Sequence, residues 1–188
     1  MHYTQTISSP LGNILLSADE VGLTGLWFDG GRYYAETLPE EHVERETPIL
    51  MDTKRWLDVY FTGREPDFTP PLHPTGSSFR QAVWQLLLEI PYGQTTTYGA
   101  LAKRLGGVHM SAQAVGGAVG HNPISIIVPC HRVVGANGSL TGYAGGLDRK
   151  IRLLEIEKKG HDWAVSPEER NGDMRQMRPC AKNGTIYC

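Results

Sequence analysis

The sequence predicts an α+β protein: a small N-terminal α/β domain (antiparallel sheet plus helix), then a helical domain of winged-helix/helix-turn-helix type. Three observations predict it. Short apolar runs split by turn residues fill the first 30 positions. Prolines cluster near residue 70, and helical periodicity broken by glycines follows them. The 188 residues suit one domain or two small ones, at roughly 100–200 residues per domain. With 40% hydrophobic and 20% charged residues, the composition is globular, not disordered, collagen-like or coiled-coil.

The runs Tyr3–Ser8, Asn13–Ala18 and Leu23–Phe28 alternate or cluster apolar residues, and Pro10-Leu11-Gly12 and Asp19–Gly22 separate them. They read as an antiparallel meander that Gly30-Gly31 ends. From Pro48 to Phe61, Ile49, Leu50, Trp56, Leu57, Tyr60 and Phe61 recur near helical spacing until Gly63. Pro70, Pro71 and Pro74 disfavour both helix and sheet, which sets a domain boundary there. The expected domains are 1–76 and 77–160, with a polar, flexible tail at 161–188.

Beyond the boundary, Ser77 or Ser78 can cap a helix whose Phe79, Val83, Leu86, Leu87 and Ile90 share one face. A short helix is expected from about Thr97 to Leu105 and another from Ser111 to Val119, with Gly106-Gly107 between them. The pair fits a helix-turn-helix, and equally a plain αα-hairpin. Gly116, Gly117 and Gly120 crowd the second helix, where each glycine costs ~1 kcal/mol against alanine. Close approach of another surface, a packed helix or a DNA groove, would offset that. Only Gln113 there could read base edges, and small residues suit the minor groove better.

Charge divides along the chain. Residues 1–76 carry 5 Lys+Arg against 12 Asp+Glu, and residues 77–160 carry 9 against 4. A basic second half permits nucleic-acid contact without requiring it. No apolar run reaches the ~18 residues of a membrane span, and the first residues resemble no signal peptide. Three cysteines, with Cys180 and Cys188 in the polar tail, make no disulfide framework. A cytoplasmic protein (nuclear if eukaryotic) without membrane contact is expected.

The chemistry concentrates in one stretch. Ile124 to Val128 reads as a buried strand or extended wall, and Pro129 ends it. Cys130, His131 and Arg132 follow. A free thiol has pKa ~8.5, so a nucleophilic cysteine needs a base, and that base needs an orienting partner. Neighbouring side chains diverge in extended backbone, so Cys130 and His131 would meet through a turn or a bridging water. A buried, inert thiol beside a surface imidazole is the commoner meaning of such a pair, and these residues alone leave both open.

The wider pattern narrows the choice. Pro129-Cys130-His131-Arg132-Val133, with Val115–Ala118 and Asn122-Pro123 before it and Gly142–Leu147 after it, closely resembles the O6-alkylguanine-DNA alkyltransferases. The likeness runs from about Phe79 to Glu157 and more loosely through Trp56–Gly63. It implies self-inactivating repair: an alkyl group passes from guanine O6, with O4-alkylthymine a second candidate, to Cys130. His131 would deprotonate Cys130 through a water, and Glu157, rather than Glu155, would orient His131. Asn122 would tie the helix-turn-helix to the active-site strand. Tyr98 would crowd the target phosphate and protonate guanine N3, and the Cys130 and Val133 carbonyls would accept from the guanine amino group. Tyr143 would wall the pocket, with Gly145 leaving room for bulky groups. Thr97, Gly99, Gln113, Ala114, Gly116 and Ala136 fall where DNA contacts are expected. The partner implied is double-stranded DNA bearing alkylated guanine, met by a monomer through the minor groove. No metal or other cofactor is expected.

This sequence departs from that pattern in places. Gln113 stands where relatives usually carry an arginine finger, and Ala144 where some carry a serine. The tail matches nothing in the family. Other function classes are weaker. Alkyltransferase-like binding proteins lack the cysteine, a helix-turn-helix transcription factor needs more base-reading side chains, and a cysteine peptidase needs a distant histidine and an oxyanion site.

Overall fold

The computed structural model describes residues 1–106 and 110–164. Strands β1 (His2–Ser9), β2 (Gly12–Ala18) and β3 (Leu23–Phe28) form the expected antiparallel meander. A short strand that periodicity did not reveal, β4 (His42–Glu44), pairs parallel to β1, so the sheet order is β3-β2-β1-β4. Its three exposed residues carry no burial pattern to read.

Helix α1 (Pro48–Phe61) begins where Thr47 accepts from the Leu50 N–H and Pro48 takes a first-turn position that needs no donor. Gly63, at φ 83°, turns the chain away at its end. Leu50, Leu57 and Tyr60 of α1 are buried with Ile14 and Leu16 of β2 in a core that continues into the second half of the chain.

Strand β3 is buried along its whole length because two later segments cover its open edge. The proline-rich linker takes one end: the Leu23 N–H donates to Pro71 O at 2.7 Å, and the His73 N–H to Leu23 O at 2.7 Å. The segment that leads to Cys130 takes the middle, where the Leu26 N–H donates to Pro123 O at 2.8 Å and the Ser125 N–H to Leu26 O at 3.0 Å. The N-terminal sheet therefore holds the reactive stretch directly.

Helix α2 (Ser78–Leu88) is capped by Ser77, and its Trp84 indole donates to Ala118 O at 2.9 Å. Strand β5 (Thr96–Thr97) leads into α3 (Tyr98–Gly106), and α4 (Ala112–Gly120) starts from the Ser111 cap. The turn between α3 and α4, with Gly107, lies outside the described residues. Strand β6 (Val133–Val134) runs parallel to β5, which brings Tyr98 beside the reactive stretch. Helix α5 (Leu147–Ala164) follows.

Two expectations need correction. Ile124–Val128 is not a strand but a buried turn, in which Ile124 makes one bridge to Leu26 and Ile126 takes φ 69°. Asn122 competes for the backbone groups a strand would have used. The tail expected from His161 is helical at its start, since α5 runs to Ala164; the rest, with Cys180 and Cys188, lies outside the described residues. No helix among the described residues is long and apolar enough to cross a membrane.

Candidate functional site

Asn122, buried just after α4, builds the turn that leads to the thiol. Its Oδ1 accepts from the Ile124 N–H at 3.0 Å. Its Nδ2 lies within hydrogen-bond distance of Ile124 O (3.2 Å), Val128 O (2.8 Å) and Cys130 Sγ (3.1 Å). Positive φ in a β-branched residue is strained, by about 1–3 kcal/mol, and the Asn122 bonds hold Ile126 in it. Pro129 then leads into one 3₁₀ turn, Cys130–Arg132. Three consecutive reactive side chains thus leave a tight turn rather than a strand.

Cys130 is 5% exposed. Burial pushes its thiol pKa up, while the Asn122 amide and the nearby Lys150 cation pull it back. The resting sulfur is therefore a thiol, and it needs a base at the moment of reaction.

His131 is fully buried and its Nε2 lies 2.6 Å from Glu157 Oε1. Glu157 also receives Tyr60 Oη at 2.8 Å, Arg132 Nη2 at 3.0 Å and Nε at 2.9 Å, and the Gly93 N–H at 3.1 Å. Burial alone would raise its pKa, but the bonds and charges of His131 and Arg132 override it and lower the value to about 2. Glu157 is thus an anion that can only accept. This fixes Nε2 of His131 as the N–H, so Nδ1 carries the lone pair. Nδ1 is buried with no partner among the described residues. Burial, Arg132 and Lys150 lower the imidazole pKa against the opposing pull of Glu157, so the ring is neutral and able to take a proton. Glu155, the nearer acid in sequence, is exposed and pairs with Arg152 instead.

Sequence reasoning missed Arg132 and Lys150 as parts of this site. Arg132 grips Glu157 in a two-pronged pair and donates to Ile90 O at 2.6 Å. Lys150 is wholly buried, and its Nζ donates to Val133 O (2.6 Å), Thr141 O (2.8 Å) and Gly142 O (3.3 Å). Desolvation lowers its pKa to about 8. A helical signal existed: Lys150, Leu153, Leu154 and Glu157 occupy one inward face of α5, where charge at both ends is unusual.

The remaining expected site residues fall into two groups. Around the thiol, the Tyr98 hydroxyl donates to Thr141 O at 3.4 Å, and burial raises its pKa. Tyr143 sits near Ser125 with its phenol pushed well above its usual pKa by burial. Val133 O serves Lys150, and Gly145 is sandwiched: a Cβ there would come within 2.6 Å of the Tyr143 ring and 3.1 Å of the Phe28 ring. On the helix-turn-helix side, Gly99, Gln113, Ala114 and Ala136 are exposed, and Thr97 caps α3 through the Ala100 N–H at 3.1 Å. Gly116 faces the Tyr98 ring at 3.7 Å, but among the described residues nothing lies within 4 Å of a Cβ placed at Gly117 or Gly120. Gly116 therefore packs on Tyr98, while Gly117 and Gly120 leave space unfilled by the described residues.

The second half of the chain thus brings together a buried thiol, the imidazole that follows it, held by a buried carboxylate, and a two-helix unit with glycines in its second helix. Comparison with known proteins agrees. Residues 78–159 match the family model described as 6-O-methylguanine DNA methyltransferase, DNA binding domain, and residues 1–74 match its ribonuclease-like domain. A methylated-DNA–protein-cysteine methyltransferase of Methanosarcina acetivorans is 48% identical, covering 82% of this chain and 97% of the relative. One from Haemophilus influenzae is 42% identical, covering 84% and 87%. The crystal structure of Mycobacterium tuberculosis OGT in complex with DNA has a TM-score of 0.75 and 42% identity, covering 84% of this chain and 94% of that one. The chain belongs to the 6-O-methylguanine DNA methyltransferase family.

Proposed function

We propose that the protein repairs DNA by moving an alkyl group, methyl in the simplest case, from guanine O6 to Cys130 Sγ. The observation that carries this reading is the His131–Glu157 contact at 2.6 Å with Nδ1 of the ring unpartnered among the described residues. A water bridging Nδ1 and Sγ takes the thiol proton to the imidazole as the sulfur attacks the alkyl carbon. The S–C bond forms, the C–O bond breaks, and its electron pair goes to the guanine ring. Tyr98 supplies a proton to N3 of the leaving base. The thioether has no route back, so each molecule acts once. The names of the relatives and the solved DNA complex support the same chemistry and the same partner.

The base must leave the stack to reach a buried sulfur, at a cost of a few kcal/mol. A cleft bordered by Phe28, Ser125, Ala144, Gly145 and the Asn122 that contacts Cys130 Sγ holds about 10 Å³, room for one water. The space at Gly117 and Gly120 of α4 admits a backbone closely, which favours the shallow readout of the minor groove. A reducing compartment, cytoplasm or nucleus, keeps the thiol available.

Incubation with a duplex carrying O6-methylguanine should raise the intact mass by one methyl group, and Cys130→Ala should abolish the gain. Binding without any mass change would make the protein a lesion binder and sink the proposal. Gln113 lacks the charge and planar face of arginine. Gln113→Arg should therefore speed repair of duplex DNA and leave the reaction with free O6-alkylguanine unchanged; equal duplex rates would refute this.

A further inference from the structure

The N-terminal half reaches into the relay through one side chain. Tyr60 lies in the last turn of α1 and is completely buried. Its ring stacks on Trp56 at 5.3 Å between centroids and meets Phe61, Tyr92 and His131 edge-on. Packing explains the ring but not the hydroxyl, which lies 2.8 Å from Glu157 Oε1 and 3.5 Å from His131 Nε2. Glu157 is ionised and accepts only, so the phenol is the donor.

Oε1 is also the oxygen that holds His131. Three donors converge on it, from His131, Tyr60 and Arg132. A carboxylate oxygen that already accepts charge-assisted bonds has less electron density to offer another donor. We propose that Tyr60 is a positioning residue of the relay, whose hydroxyl shares Glu157 Oε1 with His131 Nε2–H and so limits how tightly the carboxylate holds that ring. The inference rests on the alkyl-transfer reading of the site, and it gives the N-terminal domain a part in the chemistry.

The sign follows from the groups around His131. Glu157 favours the protonated ring; Arg132, the next residue, and Lys150 of α5 oppose it. Burial raises the Cys130 thiol above its ordinary value and Lys150 titrates at about 8, both on the alkaline side of the ring, so His131 governs the acid side of a rate profile. Without the Tyr60 hydroxyl, Glu157 pulls harder on the ring, His131 protonates at higher pH, and less free base remains below neutrality.

The test compares the full chain with Tyr60→Phe, measuring single-turnover methyl transfer from duplex DNA across pH. The acid limb should move up by about half a unit, which is roughly threefold in rate on that limb, while the plateau stays within about twofold. A second variant replaces Tyr60 with 3-fluorotyrosine, a stronger donor of the same shape, and the limb should move down. Superimposable profiles, or an equal loss at every pH accompanied by a lower melting temperature, would show that Tyr60 only packs. If Tyr60→Phe does not fold, an unshifted limb in the fluorotyrosine protein overturns the inference by itself. Absence of transfer in the unmodified protein would instead reject the alkyl-transfer reading.

Discussion

Glu157→Ala is expected to lower stability by about 3–5 kcal/mol and to slow alkyl transfer at least ~100-fold. The stability loss arises because Arg132, largely buried, would keep its charge and lose its only acidic partner among the described residues. Tyr60 Oη and the Gly93 N–H would lose their acceptor as well. For a chain of this size the melting temperature should fall by ~10 °C. The rate loss has a separate cause: without an anion at Nε2, nothing selects the tautomer with its lone pair on Nδ1. Glu157→Gln separates the two, since its carbonyl can accept from one donor while its NH₂ opposes the others. It should recover part of the stability and little of the rate. Thermal melting and single-turnover transfer measure both, and a stability change below ~1 kcal/mol for Glu157→Ala would contradict this account of the site.

Asn122→Ala is expected to have the second largest effect. The amide satisfies the Ile124 N–H and the Ile124 and Val128 carbonyls inside a buried turn. Each buried group left alone costs about 1–3 kcal/mol, so a loss of ~3 kcal/mol follows once the turn relaxes. Relaxation also releases Ile126 from φ 69°, which moves Cys130 from its place beside His131. A displacement of ~1 Å is enough to slow a positioned reaction ~100-fold. Asn122→Asp should fare no better, because it keeps the acceptor for Ile124 but sets a negative charge against two carbonyls and the developing thiolate. Wild-type rates in either variant would mean that the turn holds its shape without the side chain.

The first half of the fold was legible because its signals are local. Alternation or clustering of apolar residues marks three strands, and helical spacing from Pro48 with Gly63 at its end marks α1. The edge strand β4 was not, since an exposed three-residue strand has no alternation to show. Ile124–Val128 misled for a physical reason: a buried β-branched run is what a central strand looks like, and only the asparagine before it marks a turn. Sequence context singled out Cys130, His131 and Glu157, and the fold puts the first two in one turn and His131 against Glu157. Their supports were hidden by ordinary appearances. Tyr60 looks like a core aromatic, and Lys150 looks like one more charge in Asp148-Arg149-Lys150. Contacts between α1, the 3₁₀ turn and α5 join residues up to 97 positions apart, and no short window contains them.

Peptide mapping of the protein after one round of reaction with O6-methylguanine DNA probes the central claim most directly. The chain has three cysteines, of which Cys130 lies among the described residues, and the next residue, His131, is held by a buried carboxylate. One S-methyl group per molecule, confined to the Cys130 peptide with Cys180 and Cys188 unmodified, is the predicted result. Methyl on either of the other cysteines, or a released base with no methyl on Cys130, would contradict it.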